Sequence, residues 1–201
     1  MGNLRSVEKA LAQAGAKAFV SADAKVLERA DLLVVPGVGA FESAMGVLRK
    51  KKLHGFVKEW IQSDRPYFGI CLGLQILFEK SEEAPGVRGL GVLPGKVVKF
   101  RLKSSHLKVP HMGWNEVHPK GSATGLGKGV LPDSAHFYFV HSFYPRPADR
   151  SLVWATTPYG GEFCSAVARG NLAATQFHPE KSGPRGLRFL KNLLSRISST
   201  R

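Results

Sequence analysis

The chain has 201 residues, 43% of them hydrophobic, which suffices to bury a full core and reads most simply as one domain spanning 1–201. Its two cysteines, Cys71 and Cys164, make no disulfide framework. No basic-then-apolar leader and no run of membrane-spanning length is present, so a soluble cytoplasmic protein is expected.

Asn3 is expected to cap a helix from Leu4 to about Ala14, with Leu4, Val7 and Leu11 on one face and Gly15 as the stop. AKAFV (16–20) reads as a short strand and DLLVVPG (31–37) as a buried strand ending in a turn. Helical segments follow at about 41–50 and 53–62. RPYFGI (65–70) is another buried strand, with LGLQILFEK (72–80) a helix directly after it. Helices alternating with continuously apolar strands predict an α/β fold with a central, mostly parallel sheet flanked by helices. The second half adds strands joined by Gly, Pro and Ser turns: KVVKF (96–100), HFYFVHSFY (136–144), LVWATT (152–157), FCSAVARG (163–170) and LAATQF (172–177). A helix closes the chain at about 184–197.

The formal charge of +14 invites a nucleic-acid reading. The basic residues are dispersed, however. Six fall between Ala84 and Asn115 and six after Glu180, with no acid in either stretch. In the last of these, Leu187, Leu190, Leu194 and Ile197 form an apolar stripe with the cations largely off it, as on a solvated helix face. No helix-turn-helix, zinc-finger or aromatic RNA-binding pattern accompanies the charge. A phosphorylated metabolite or an acidic partner protein accounts for it equally well. No Cys/His cluster has metal-ligand spacing.

FGICLGLQ (68–75) carries the chemistry. A strand that stops at a residue flanked by glycines at −2 and +2, then turns into a helix, forms a nucleophile elbow. Gly69 and Gly73 remove side chains that would collide, so Cys71 stands above the sheet edge at a helix N-terminus, where the thiolate is favoured. The bland alternative, a small buried core cysteine, suits Cys164 better, since it lacks both glycines and a following helix. In QFHPEKSG (176–183), His178 and Glu180 are two apart and Pro179 restrains the backbone toward an extended shape. Glu180 can then fix the imidazole tautomer while the other ring nitrogen faces the thiol. His141 is the runner-up base. VVPGVGAF (34–41) ends a neighbouring strand in glycines that let backbone N–H groups turn toward an oxyanion, with the Leu72 N–H as a second donor.

Elbow GICLGLQ, turn PGVGAF and HPEKSG, in that order and spacing, resemble class I, triad-type glutamine amidotransferase domains. VPHMGWNEV (109–117), FYFVHSFY (137–144), SEEAPGVRGLGVLPG (81–95) and GNLRSV (2–7) are similar to the glutaminase subunits of imidazole glycerol phosphate synthases. The resemblance covers nearly the whole chain. It implies that Cys71 attacks the side-chain amide of glutamine, His178 protonates the departing ammonia and then activates water, and Glu180 orients His178. It further implies that Gly37 and Val38 form the oxyanion turn beside Leu72, that Gln75 contacts glutamine, and that Ser142 and Phe143 hold its amino-acid head, mainly by backbone. No cofactor is implied. The implied partner is a (β/α)8 cyclase subunit that receives the ammonia in a heterodimer, making imidazole glycerol phosphate and an aminoimidazole carboxamide ribotide. Asn3, Arg5, Trp114, Tyr138 and Lys181 match positions near its face. The family's first strand, ending in an Asp-Tyr-Gly-like turn, is expected to be absent ahead of Met1. Two alternatives stay open. One is an amidotransferase subunit of anthranilate or aminodeoxychorismate synthesis, which should lack PHMGWN and FYFVHSFY. The other is a non-catalytic basic binding protein.

Overall fold

The computed structural model describes residues 4–102, 106–120 and 125–198, so the expected cap Asn3 lies outside the described residues. The elements in chain order are α1 (Leu4–Gln13), α2 (Ala24–Leu27), β1 (Leu33–Gly37), α3 (Phe41–Lys50), α4 (Leu53–Gln62), β2 (Tyr67–Cys71), α5 (Leu72–Gln75) and β3 (Phe78–Ser81). They continue with β4 (Leu93–Lys99), β5 (His111–Pro119), β6 (Ala135–His141), β7 (Phe143–Pro147), β8 (Val153–Pro158), β9 (Glu162–Arg169), β10 (Leu172–Thr175) and α6 (Gly183–Ser198).

Seven strands form one sheet in the order β1-β2-β10-β9-β8-β5-β6, and β3-β4-β7 form a second. The expected α/β class holds. Parallel pairing in the large sheet is concentrated in β1, β2 and β10, while β9, β8, β5 and β6 join antiparallel. All five residues of β2 are buried, as a strand covered on both faces requires. One apolar cluster packs Phe41, Met45, Val57 and Trp60 of α3 and α4 against the sheet. A second packs Val7 and Leu11 of α1 with Phe189, Leu190 and Leu193 of α6 against the other face, around Phe68 and Ile70. Among the described residues no helix is long and apolar enough to cross a membrane.

Four segments differ from expectation. Residues 16–20 form no strand. Strand β1 is the last in its sheet, and Ala16–Phe19 face Leu32, Leu33 and Val34 across a groove of about 680 Å³ rather than pairing with them. The groove separates them from the free edge of β1, and apolar composition alone makes no ladder. The helix expected over 72–80 stops after one turn, at Gln75. Ile76, Leu77 and Phe78 are all buried, leaving no polar face for a surface helix, and Phe78 instead pairs with Leu93. HFYFVHSFY is two strands, broken at Ser142, with β6 in the large sheet and β7 in the small one. HMGWNEVHP, given no strand assignment from sequence, is β5, pairing with β6 from His111↔His141 to Val117↔Ala135.

Candidate active site

Cys71 ends β2 with φ 54° and ψ −103°, a left-handed backbone that a non-glycine residue adopts only under constraint. The constraint is visible in its neighbours. A Cβ on Gly69 would lie 2.6 Å from the Gly73 carbonyl oxygen, and one on Gly73 would collide with the Val35 carbonyl. Gly37 is needed for a similar reason, because a Cβ there would meet Leu72 Cβ at 2.7 Å. Three glycines thus let β1, β2 and the start of α5 close on one another, which forces the Cys71 side chain outward.

His178 follows β10 in extended backbone, φ −105° and ψ 93°. Its N–H donates to the Tyr138 carbonyl at 2.9 Å. Ser182 donates from its hydroxyl to the His178 carbonyl at 2.6 Å and accepts from the Tyr138 N–H at 3.0 Å. His178 is therefore bolted to β6 from both sides. Only His178 is extended, however. Pro179–Lys181 form a 3-10 turn, and that turn, rather than two residues of extended chain, brings Glu180 Oε1 to His178 Nδ1 at 2.8 Å. Both side chains are almost wholly buried. Burial alone would lower the imidazole pKa. Its interactions with Cys71 and Glu180 outweigh that and raise it to about 9. His178 is thus an imidazolium at neutral pH. Its Nε2 carries no partner in hydrogen-bond geometry among the described residues, which leaves that N–H for a reacting group.

His141, the runner-up base, is engaged at both nitrogens, to His111 at 3.0 Å and to the Phe143 carbonyl at 2.8 Å. Burial holds it down at about 3 and His111 at about 4, so both are neutral. Cys164 is buried in the core and its thiol is pushed up to about 12, chiefly by burial, which removes it as a nucleophile.

A cavity of about 510 Å³ opens on Cys71. Its walls include the expected residues Val38, Leu72, Gln75, Ser142 and Phe143. The Phe143 carbonyl accepts from Gln75 Nε2 at 2.9 Å as well as from His141, so both its lone pairs serve the protein rather than a ligand. The structure also adds residues with no local signal in the sequence. Glu83 lines the cavity and holds it against α3 by accepting the Phe41 N–H at 2.9 Å. Gln176 donates to Cys71 Sγ at 3.4 Å. Of the residues expected at a partner face, Trp114 and Tyr138 pair across β5 and β6 with ring centroids 6.3 Å apart. Lys181 Nζ sits 5.7 Å over the Tyr138 ring and also lines the cavity. Arg5 is exposed on α1.

The arrangement is a strained cysteine beside a buried imidazolium–carboxylate pair, suited to acyl transfer from a small polar substrate. The class-I glutamine amidotransferase family model matches residues 2–197. The imidazole glycerol phosphate synthase subunit HisH of Rhodopirellula baltica is 52% identical over 191 residues, covering 95% of this chain and 91% of that protein. The subunit of the same name from Geobacter metallireducens is 47% identical over 199 residues, covering 96% and 92%. A crystal structure described as a glutamine amidotransferase superposes with a TM-score of 0.74 at 22% identity, covering 98% of this chain and 95% of that one. The chain belongs to the class-I glutamine amidotransferase family, and within it to the imidazole glycerol phosphate synthase subunit HisH group.

Proposed function

We propose that this glutaminase of histidine biosynthesis works through Cys71, His178 and Glu180. The Cys71 thiolate adds to the glutamine side-chain carbonyl, forming a C–S bond. The His178 imidazolium gives its Nε2 proton to the amide nitrogen as the C–N bond breaks, releasing ammonia and leaving a thioester. Neutral His178 then takes a proton from water, which adds to the thioester carbonyl. Collapse expels the Cys71 thiolate and glutamate, with His178 again protonated. Glu180 keeps the imidazole in the tautomer that presents Nε2. Gly37 and Val38 supply the oxyanion turn beside the Leu72 N–H. Gln75 and Ser142 flank the bound side chain and head, and the Glu83 carboxylate provides a counter-charge for the α-ammonium of glutamine. The observation that carries this reading is the left-handed Cys71 on the cavity wall, with the His178–Glu180 pair buried behind it.

The ammonia passes to the cyclase subunit, a (β/α)8 partner docked on the face of Trp114, Tyr138 and Lys181, with Arg5 at its margin. Exposed Met112 and Trp114, at 63% and 56%, support an apolar contact there, and Lys181 joins that face to the cavity. Glutamate production by the complex with its cyclase subunit tests the assignment. Cys71→Ala abolishes it with the fold intact by circular dichroism, whereas Cys164→Ala retains it. Loss in Cys164→Ala with activity in Cys71→Ala would move the nucleophile.

A further inference from the structure

The one-turn length of α5 leaves the Cys71 thiolate with little of the helix-end stabilisation that a long helix supplies. A different donor takes that place, and the hydrogen-bond network fixes its identity. Asn115 Oδ1 accepts the Glu116 N–H at 2.8 Å, and Asn115 Nδ2 donates to the Pro158 carbonyl at 2.8 Å, which settles the orientation of that amide. Its second N–H therefore faces His111 Nε2, 3.2 Å away. That nitrogen is the bare one, so His111 carries its proton on Nδ1 and donates to His141 Nε2 at 3.0 Å. His141 in turn carries its proton on Nδ1 and donates to the Phe143 carbonyl at 2.8 Å. Gln75 Nε2 gives one hydrogen to that same carbonyl and the other to Gln176 Oε1 at 3.1 Å. With its oxygen held by Gln75, Gln176 has only Nε2 to offer Cys71 Sγ, at 3.4 Å. A flipped Gln176 amide would set N–H against N–H at Gln75 and an oxygen against the sulfur. The residue is wholly buried, and its backbone N–H is tied to the Ser165 carbonyl at 2.8 Å.

We propose that Gln176 is a further catalytic residue, a fixed N–H donor to the Cys71 sulfur that stabilises the thiolate. The donor matters twice. It holds the nucleophile ionised before attack, and it receives the thiolate again when water breaks the thioester. The proposal rests on Cys71 being the nucleophile, but its test requires no glutamine turnover, so the two ideas fail separately.

The test is alkylation of Cys71 by iodoacetamide in a Cys164→Ala background, where Cys71 is the one remaining thiol. Rates are read at pH 7 and at pH 10. Gln176→Leu lowers the pH 7 rate about tenfold or more, as expected for loss of a hydrogen bond to a charged group. At pH 10, above the ordinary thiol range, the rate stays within about twofold of the parent. Gln176→Glu, which keeps the shape of the side chain, falls further at pH 7 because a carboxylate then faces the thiolate. It supplies the same ratio if the leucine variant does not fold. An unchanged ratio of the two rates, or an equal fall at both pH values, overturns the proposal, since removal of a merely structural side chain lowers access at every pH.

Discussion

The neutral pair His111–His141 makes the fold sensitive to mild acid, and the size of the effect can be worked out. Both rings are buried in a nest of aromatic side chains. His111 is stacked between Phe139 and Tyr159, with centroids at 4.7 and 4.0 Å, and His141 lies 5.2 Å from Phe100. Burial lowers His111 to about 4 and His141 to about 3 in the native state. In the unfolded chain each returns to about 6.5. The sign follows. Above about pH 6.5 neither state binds the proton and the stability is fully present. Below that, the unfolded chain takes up protons that the native state refuses, so stability falls with pH until the native rings titrate. Each fully coupled group contributes about 1.4 kcal/mol per pH unit. Between pH 7 and pH 5 that is about 2 kcal/mol for His141 and about half as much for His111, which is discounted for its place nearer the surface. His178, raised to about 9, works the other way: the native state holds its proton throughout while the unfolded chain is only partly protonated near pH 7, so acidification returns about 1 kcal/mol. The net fall is about 2 kcal/mol, and with a urea slope of about 2 kcal/mol per molar the midpoint drops by about 1 M. Equilibrium urea unfolding followed by tryptophan fluorescence reads this directly. The double variant His111→Gln/His141→Gln loses this fall whatever its absolute stability. A wild-type midpoint that is flat between pH 7 and pH 5, or a double variant that tracks it, refutes the reasoning.

His178→Ala lowers kcat of the complex about as far as loss of Cys71, and Glu180→Ala is about a hundredfold milder, because an orienting group costs less than the base it orients. Gly73→Ala drives a Cβ into the Val35 carbonyl and costs about 1–3 kcal/mol in urea unfolding, with glutamine hydrolysis impaired. Gly46→Ala, an exposed site in α3 where a Cβ meets nothing within 4 Å, instead raises stability by about 0.5–1 kcal/mol in the same assay.

Cys71 was legible as a candidate nucleophile because the requirement of such a turn is local. Gly69, Cys71 and Gly73 are neighbours in sequence, and the clash they avoid is with the turn itself and the adjacent strand. The His178–Glu180 pair was legible for the same reason, although the path between them is a 3-10 turn rather than a straight strand. What was not legible depends on distant partners. Gln176 meets a sulfur 105 positions away, and Glu83 meets an N–H 42 positions away. Neither has a sequence pattern of its own. The misread elements share a cause. Residues 16–20, 72–80 and 136–144 are apolar enough for either regular structure, and tertiary neighbours decided each of them. Ser142 shows this well, since nothing in HFYFVHSFY marks the point where the chain leaves one sheet for the other.

That break, together with the parallel part of the large sheet, explains why the site lies where it does. Strands β1, β2 and β10 run in the same direction, so their C-terminal ends lie side by side, with Gly37 in register with Cys71 and Thr175 with Ile70. From those three ends come the expected oxyanion turn, Cys71, and the run Gln176–His178. Antiparallel neighbours would have sent at least one of these to the opposite edge. The antiparallel strands contribute differently. Strand β6 anchors His178 through Tyr138, and the step from β6 to β7 turns His141, Ser142 and Phe143 onto the cavity wall. The Phe143 carbonyl at that step then receives hydrogen bonds from both halves, from His141 on the antiparallel side and from Gln75 on the parallel side. The orientation of Gln176, and with it the N–H that faces Cys71 Sγ, is therefore set where the two kinds of sheet meet, and neither half alone holds every group of the proposed site.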